Sequence, residues 1–497
     1  MPSLHRSASG ERIMTLPRSL LTRGVSALRL AAGGGFALML ALAAGPAGAQ
    51  QPAPGATPPA GGAANPPTRA ITVPPPAWRV PNVFGGPAAS RTVVPAADET
   101  RFVPGEILFE LAPNVQAETV LRRYGATLIT SRRVELAGTT IIRARLAEGR
   151  DLRDVLTQMA SDNAIAGAQP NFTFELQQDL AQPVSTTASG GRSDIPTLRL
   201  SDPAAVRPTP APRRELPPQY VADKLRLGEV HKLARGATIR VAVIDSGVDV
   251  AHPELRGGVA GLFDALGEDY VPHAHGTAMA AAIVAQGQLQ GVAPGARLLV
   301  GRAFSGRAGS GSANGTSLQI MSAIEWAVNQ GARVINLSFA GPEDRLLSRG
   351  LAGVAAKGVV AVAAAGNAGP NAAPLYPGAD PNVIAVTATD ADDRVFRQAN
   401  RGAYIAVAAP GVDVIAAEPN GRYAFSSGTS IAAAHVSGLV ALMLEKRPDL
   451  DPAGVRRLLS ESAVDLGSKG RDPVFGAGRV DAAAALSRVA PLTASRP

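Results

Sequence analysis

From residue 238 onward the chain alternates short apolar runs with longer stretches whose apolar positions recur at helical spacing. The runs "TIRVAVID" (238–245), "RLLVGRAF" (297–304), "RVINLSF" (333–339), "VVAVAAAG" (359–366) and "NVIAVTAT" (382–389) predict strands. Between them, "SLQIMSAIEWAVNQG" and "LLSRGLAGVAAKG" predict helices. Strands that are apolar on both faces and separated by helices imply an α/β fold, a doubly wound, mostly parallel sheet covered on both sides, over residues 216–490. Functional side chains of such a sheet gather at the carboxyl ends of its strands. A further stretch, 431–444, is apolar on almost every face and predicts a buried helix.

Ahead of this region the pattern changes. "EILFEL" (106–111) and "TTIIRARL" (139–146) alternate as strands do, "AETVLRRYG" and 152–159 read as helices, and "FTFEL" (172–176) reads as another strand. Residues 101–177 therefore predict a small α+β domain. Flanking it, 50–100 is rich in Pro, Ala and Gly and 178–215 in Pro, Ser, Thr and Arg, so both read as linkers, the second open to proteolysis. Residues 1–49 read as an export signal: Arg18, Arg23 and Arg29 precede an apolar run from Leu30 to Ala44, and "AGA" follows at 47–49. That run is short for a bilayer span, and no later stretch is long and apolar enough for one, so no membrane association is expected once the signal is removed. Residues 491–497 are left as a tail.

Charge changes little. The formal net charge is +8, but the signal segment alone carries Arg6, Arg12, Arg18, Arg23 and Arg29 against Glu11, and from residue 216 onward basic and acidic residues nearly balance. With no dense basic patch, nucleic acid is not an expected partner. The chain has no cysteine, which excludes disulfides, thiolate metal sites and thiol catalysis.

Four polar residues stand at strand ends or helix starts. Asp245 closes the first strand in "VAVIDSGVD", His275 opens a small-residue helix in "HAHGTAMAAAIVAQ", Asn367 follows a strand in "AAAGNAG", and Ser430 opens the buried helix in "SSGTSIAAAHVSG". Singly, each has an ordinary reading as a cap or turn residue. Together they supply what acyl transfer to serine needs: a hydroxyl, an imidazole to take its proton, a carboxylate to fix the imidazole's tautomer, and an amide to donate to the oxyanion.

The segments "VAVIDSGVD", "HGT", "AAGN" and "GTSIAAAHVSG", in the order Asp, His, Ser, resemble the signature segments of subtilisin-like serine proteases. The resemblance covers 216–490. It implies a secreted serine endopeptidase with Asp245, His275 and Ser430 as triad and Asn367 with the Ser430 backbone N–H as oxyanion donors. It further implies that Ser338, Phe339 and Ala340 in "INLSFAG" line one edge of a substrate cleft, and Gly309, Ser310 and Gly311 in "AGSGS" the other. Residues 101–177 resemble the family's inhibitory propeptide, a ferredoxin-like α+β domain, which implies a precursor blocked by its own segment until it is cut in 178–215.

The departures are specific. "HGTAMAA" replaces the commoner "HGTHVAG", and Ala434 stands where the family often has proline. Between Gln286 and Gly291 the chain is short where relatives with a strong calcium site carry a longer loop, so no cofactor is expected and that calcium site should be missing. Leu375 occupies a position, often glycine, at the floor of the first specificity pocket, which implies small or medium apolar residues before the cut. The expected product is a monomer acting on polypeptides, in a periplasm or outside the cell. Three other readings compete: an inactive homologue that binds extended chains, an envelope interaction protein displayed by 50–100, and an esterase using the same acyl chemistry.

Overall fold

The computed structural model describes residues 4–6, 12–14, 91–177, 179–183, 216–306 and 312–489. Two three-residue strands, β1 (Leu4–Arg6) and β2 (Arg12–Met14), pair with each other and extend one edge of the main sheet. They fall within the segment read as an export signal, the rest of which lies outside the described residues, as do 50–90, 184–215 and 491–497.

The α+β unit runs β3 (Phe102–Leu111), α1 (Ala117–Tyr124), β4 (Ala126–Val134), β5 (Thr139–Leu146), α2 (Leu152–Ala160) and β6 (Ile165–Gln177). Its strands lie antiparallel in the order β6-β3-β5-β4. This is the β-α-β-β-α-β arrangement of ferredoxin-like units. Period-two alternation gives the sheet two apolar faces. Ile107, Phe109 and Ile142 pack under α1 and α2, while Leu108, Ile141, Phe172 and Phe174 face the other way, into a core shared with the larger unit.

Two linker boundaries move. Residues 91–100 pack on the α+β unit, because the Arg153 guanidinium gathers the carbonyls of Pro95, Ala96, Ala97 and Glu99 and the Val93 N–H bonds Ala168 O at 2.7 Å. The segment read as a second linker begins with a strand, β7 (Asp179–Pro183).

In the larger unit, α3 (Tyr220–Lys224) and α4 (Leu227–Val230) precede β8 (Arg240–Asp245), β9 (Val259–Asp264), α5 (Ala274–Val284) and β10 (Arg297–Arg302). Then come β11 (Ser312–Thr316), α6 (Ser317–Asn329), β12 (Val334–Leu337), α7 (Arg345–Ala356), β13 (Val360–Ala364) and β14 (Val383–Thr389). The chain closes with β15 (Ile405–Pro410), β16 (Val414–Glu418), β17 (Arg422–Ser427), α8 (Thr429–Lys446), α9 (Pro452–Ser462) and α10 (Ala482–Arg488).

The main sheet has the order β1-β2-β9-β10-β8-β12-β13-β14-β15 and is parallel from β9 to β15. Alternate residues of β8 serve opposite layers: Val241 and Val243 pack with α5 and α8, Ala242 and Ile244 with α6. All residues of α8 from Thr429 to Leu444 are buried, as their predominantly apolar character on every face requires, with Thr429, Ser430, His435 and Ser437 each hydrogen-bonded inside the protein. The expected doubly wound α/β architecture is what the chain adopts.

Candidate active site

β8, β12 and β13 are neighbours in the sheet, and the candidate residues collect at their carboxyl ends. Asp245 ends β8 and is fully buried. Its Oδ1 accepts from the Ser246 N–H (2.7 Å) and Ser246 Oγ (3.0 Å). Both carboxylate oxygens also face His275 Nδ1, at 2.8 and 2.9 Å, so the ring donates from Nδ1 and presents Nε2 as its basic nitrogen. That Nε2 is buried and has no hydrogen-bond partner among the described residues.

His275 is the second residue of α5 and does not cap it; His273 does, its Nδ1 accepting from the His275 N–H at 3.3 Å. Close approach of α5 to the turn after β8 requires glycine next to the histidine. A Cβ on Gly276 would stand 2.7 Å from Ser246 O, and the Gly276 N–H instead bonds Ser246 Oγ at 3.1 Å.

Ser430 also lies inside its helix: Gly428 is the N-cap of α8 and Thr429 its first residue. Its hydroxyl donates to Ser338 O at 3.3 Å, and Ser338 Oγ donates to Ser430 O at 2.9 Å, tying the start of α8 to the residue after β12. Ser338 is itself fixed by Asn336 Nδ2 (2.8 Å), and Asn336 Oδ1 accepts from Ser437 Oγ (3.0 Å) about two turns further along the buried helix. Amides in the first turn of a helix lack intrahelical acceptors and lie at the positive end of its dipole, a setting that favours developing negative charge. Asn367, three residues past β13, accepts from Thr429 N (3.1 Å) and Thr429 Oγ1 (2.8 Å) through Oδ1, which settles which end of the amide is its donor end.

Two further histidines matter less to this chemistry. His435, deep in α8, bonds Pro410 O at 2.9 Å, and burial pushes its pKa down to about 4, so it is neutral at neutral pH. His252 belongs to a separate cluster.

An extended segment of the chain itself runs through the site. β6 pairs antiparallel with β11 on one side, Gln177 opposite Ser312 and Glu175 opposite Asn314. On the other side Glu175 exchanges two hydrogen bonds with Ala340, at 2.9 and 3.0 Å. Beyond residue 178, β7 pairs antiparallel with β17, Asp179 opposite Ser427. Phe174 is fully buried, edge-on to Phe339 at 5.7 Å, and Phe339 leans on Phe304 at 4.9 Å. The α+β unit is fastened to α6 and α7 as well. Glu325 accepts from the Glu135 N–H (2.6 Å), and Gln169 spans the start of α7 by donating to Asp344 (3.0 Å) and accepting from the Leu346 N–H (3.0 Å). Burial raises the Asp344 carboxyl above the usual range.

The structure thus brings Asp245 and His275 into contact, ties Ser430 to Ser338, and ties Asn367 to the residue before Ser430. Phe339 and Ala340 touch the extended segment. Tyr376, the residue after Leu375, is tied to the same edge by two hydrogen bonds with Gly341, at 2.8 and 3.1 Å, while Leu375 Cδ1 lies 2.9 Å from where a Cβ on Gly366 would stand. Gly309, Ser310 and Gly311 lie outside the described residues, although the adjoining Ser312 begins β11. The sequence reading did not find Ser246, His273, Asn336, Phe304 or Phe174. For Phe174 a signal existed: an alternating aromatic pair, Phe172 and Phe174, in a strand already packed on one face.

A buried carboxylate–imidazole pair and a helix-borne serine, both near the carboxyl ends of adjacent parallel strands, are groups of the kind that a hydrolase of the serine class employs. Comparison with known proteins agrees. Residues 236–478 match the model of the subtilase family, Peptidase_S8. Subtilisin DY of Bacillus licheniformis is 36% identical over 242 residues, 47% of this chain and 86% of the relative. Thermitase of Thermoactinomyces vulgaris is 34% identical over 272 residues, 53% of this chain and 94% of the relative. In fold the chain resembles fervidolysin from Fervidobacterium pennivorans, described as a keratinolytic enzyme related to subtilisin, with a TM-score of 0.64 at 23% identity over 82% of this chain and 64% of that one. The chain belongs to the subtilase family, and is a serine-type endopeptidase.

Proposed function

We propose that this endopeptidase is made as an exported precursor, inhibited by its own residues 101–177, and that it matures by cutting the bond between Gln177 and Gln178. Asp245, His275 and Ser430 act as the triad. Ser430 attacks the carbonyl, His275 Nε2 takes its proton and returns it to the leaving amine, and Asp245 holds the ring and stabilises its charged form. Asn367 and the Ser430 N–H donate to the oxyanion.

The observation that carries this reading is the register of the extended segment. Glu175 pairs with Ala340, so continuing the antiparallel register sets Gln177 opposite Ser338, the residue whose carbonyl receives the Ser430 hydroxyl. Asp179 pairs with Ser427, three residues before Ser430. The chain is gripped on both sides of Ser430, as a substrate held by strand addition would be. The unpartnered Nε2 of His275 suits a precursor whose nucleophile is turned to the Ser338 carbonyl. Leu375 shortens the first pocket, favouring small or medium side chains before the cut in other substrates. Calcium has no role in the chemistry proposed.

The test is active-site labelling. The purified protein, given time to mature, should react with a fluorophosphonate at Ser430 and digest casein, and His275→Ala should abolish both. Labelling at Ser430 without peptide cleavage but with ester turnover would mark an esterase. No labelling, even after residues 101–177 are removed by an added protease, would mark a chain that binds polypeptides without cutting them.

A further inference from the structure

Glu254 is completely buried and remote from the reacting groups, in the short 3₁₀ turn Pro253–Leu255 that follows the Asp245 segment. Its carboxylate accepts from the N–H groups of Gly287 (2.8 Å), Gln288 (2.7 Å) and Leu289 (3.1 Å) and from the Tyr423 hydroxyl (2.7 Å). Its backbone carbonyl accepts from the Gln286 N–H at 3.3 Å. Residues 286–291 form the loop that the family resemblance marks as short for a strong calcium site.

The local chemistry does not fit a cation. A carboxylate offers about four lone-pair sites, and here four donors address them. The three amides turn their positive ends inward, where a divalent ion would be repelled. Space is closed too, because a Cβ on Gly287 would stand 2.8 to 2.9 Å from the carboxylate atoms. His252 seals the cluster: Nδ1 accepts from the Glu254 N–H (3.2 Å), Nε2 donates to Arg422 O (3.3 Å), and the ring stands edge-on to Tyr423 at 5.5 Å.

We propose that Glu254 is a metal-free clasp, a buried carboxyl group whose hydrogen bonds close the loop 286–291 and make a bound calcium ion unnecessary there. Its three attachments lie on the three segments that carry the proposed triad. Glu254 follows Asp245 along the chain, the loop follows α5 with His275, and Tyr423 sits in β17 leading to Ser430. The clasp is read from hydrogen bonding alone and stands whether or not the triad roles are right.

Amide hydrogen exchange at Gly287, Gln288 and Leu289 tests it in the full-length chain carrying Ser430→Ala, which prevents self-digestion. Protection should be the same in excess EDTA and in excess calcium chloride. Glu254→Gln, which turns an amide N–H toward these donors, should raise exchange at the three amides at least about tenfold in either condition, as expected for lost charge-assisted bonds. Tyr423→Phe removes one donor without disturbing the fold and should raise it by a smaller factor, so the proposal remains testable if the first variant fails to fold. EDTA-accelerated exchange at these amides in the parent, or unchanged exchange in a folded Glu254→Gln chain or in Tyr423→Phe, would overturn it.

Discussion

Replacing Phe174 by alanine should loosen the grip of the α+β unit on the cleft far more than it disturbs either unit's own fold. Phe174 is fully buried, yet its ring contacts lie across the junction, on Phe339 and on the Gly341 backbone, where a Cβ would come within 2.3 Å of the ring. Truncating a buried phenylalanine costs about 3–5 kcal/mol, including its aromatic pairing. At about 1.4 kcal/mol per decade, this weakens the non-covalent complex left after self-cleavage by about 10² to 4 × 10³-fold. The assay is recovery of peptidase activity on serial dilution of the matured complex, with Kd read from the concentration at half recovery. Leu128→Ala, at a position 46% exposed on the outer strand β4, is the control and should shift Kd less than about twofold. A Phe174→Ala complex within about fivefold of the parent, with unchanged circular dichroism, would refute the reasoning, since the expected loss exceeds about 3 kcal/mol.

Other perturbations separate the remaining elements. Asn367→Leu should lower kcat by about 10² to 10³-fold with little change in KM, the loss typical of one oxyanion donor, measured on a peptide substrate. Leu375→Gly should raise kcat/KM for peptides with Phe before the cut relative to Ala, and an unchanged ratio would remove Leu375 from the pocket. Burial holds His435 at about 4 against about 6.5 when unfolded, so the unfolded chain binds the extra proton between those values and stability falls as pH drops through that window. The loss attributable to this residue is about 3 kcal/mol. Thermal melts of the Ser430→Ala chain from neutral pH down to about 4 should show that slope, and His435→Leu should flatten it.

What was legible in the sequence followed from strong patterns. Five apolar runs and the small-residue character of α5 and α8 led to the doubly wound sheet, and strand ends pointed to Asp245 and Asn367. All five strands begin or end a residue or two inside their apolar runs, the first because Thr238 has a left-handed φ of 68° and the strand starts at Arg240. β4 escaped notice because its bulge between Leu128 and Thr130 breaks the alternation and most of the strand faces solvent. The β16–β17 hairpin had a readable signal in Asn420–Gly421, both at positive φ, which is the turn an Asn-Gly pair favours. The Glu254 cluster had none, since its donors, three backbone amides and the Tyr423 hydroxyl, all lie more than thirty residues away. Nor could the sequence show that β6 lies between β11 and Ala340 and that β7 pairs with β17. Those contacts depend on a register set by two distant edges.

The central claim, that Ser430 cuts the chain gripped across it, is tested most directly by the intact mass and N-terminal sequence of the purified protein beside its Ser430→Ala variant. The account predicts that the parent yields a new N-terminus at Gln178 while the variant stays joined there. Cleavage of both chains at that bond, or a parent that remains uncut while hydrolysing casein, would contradict it.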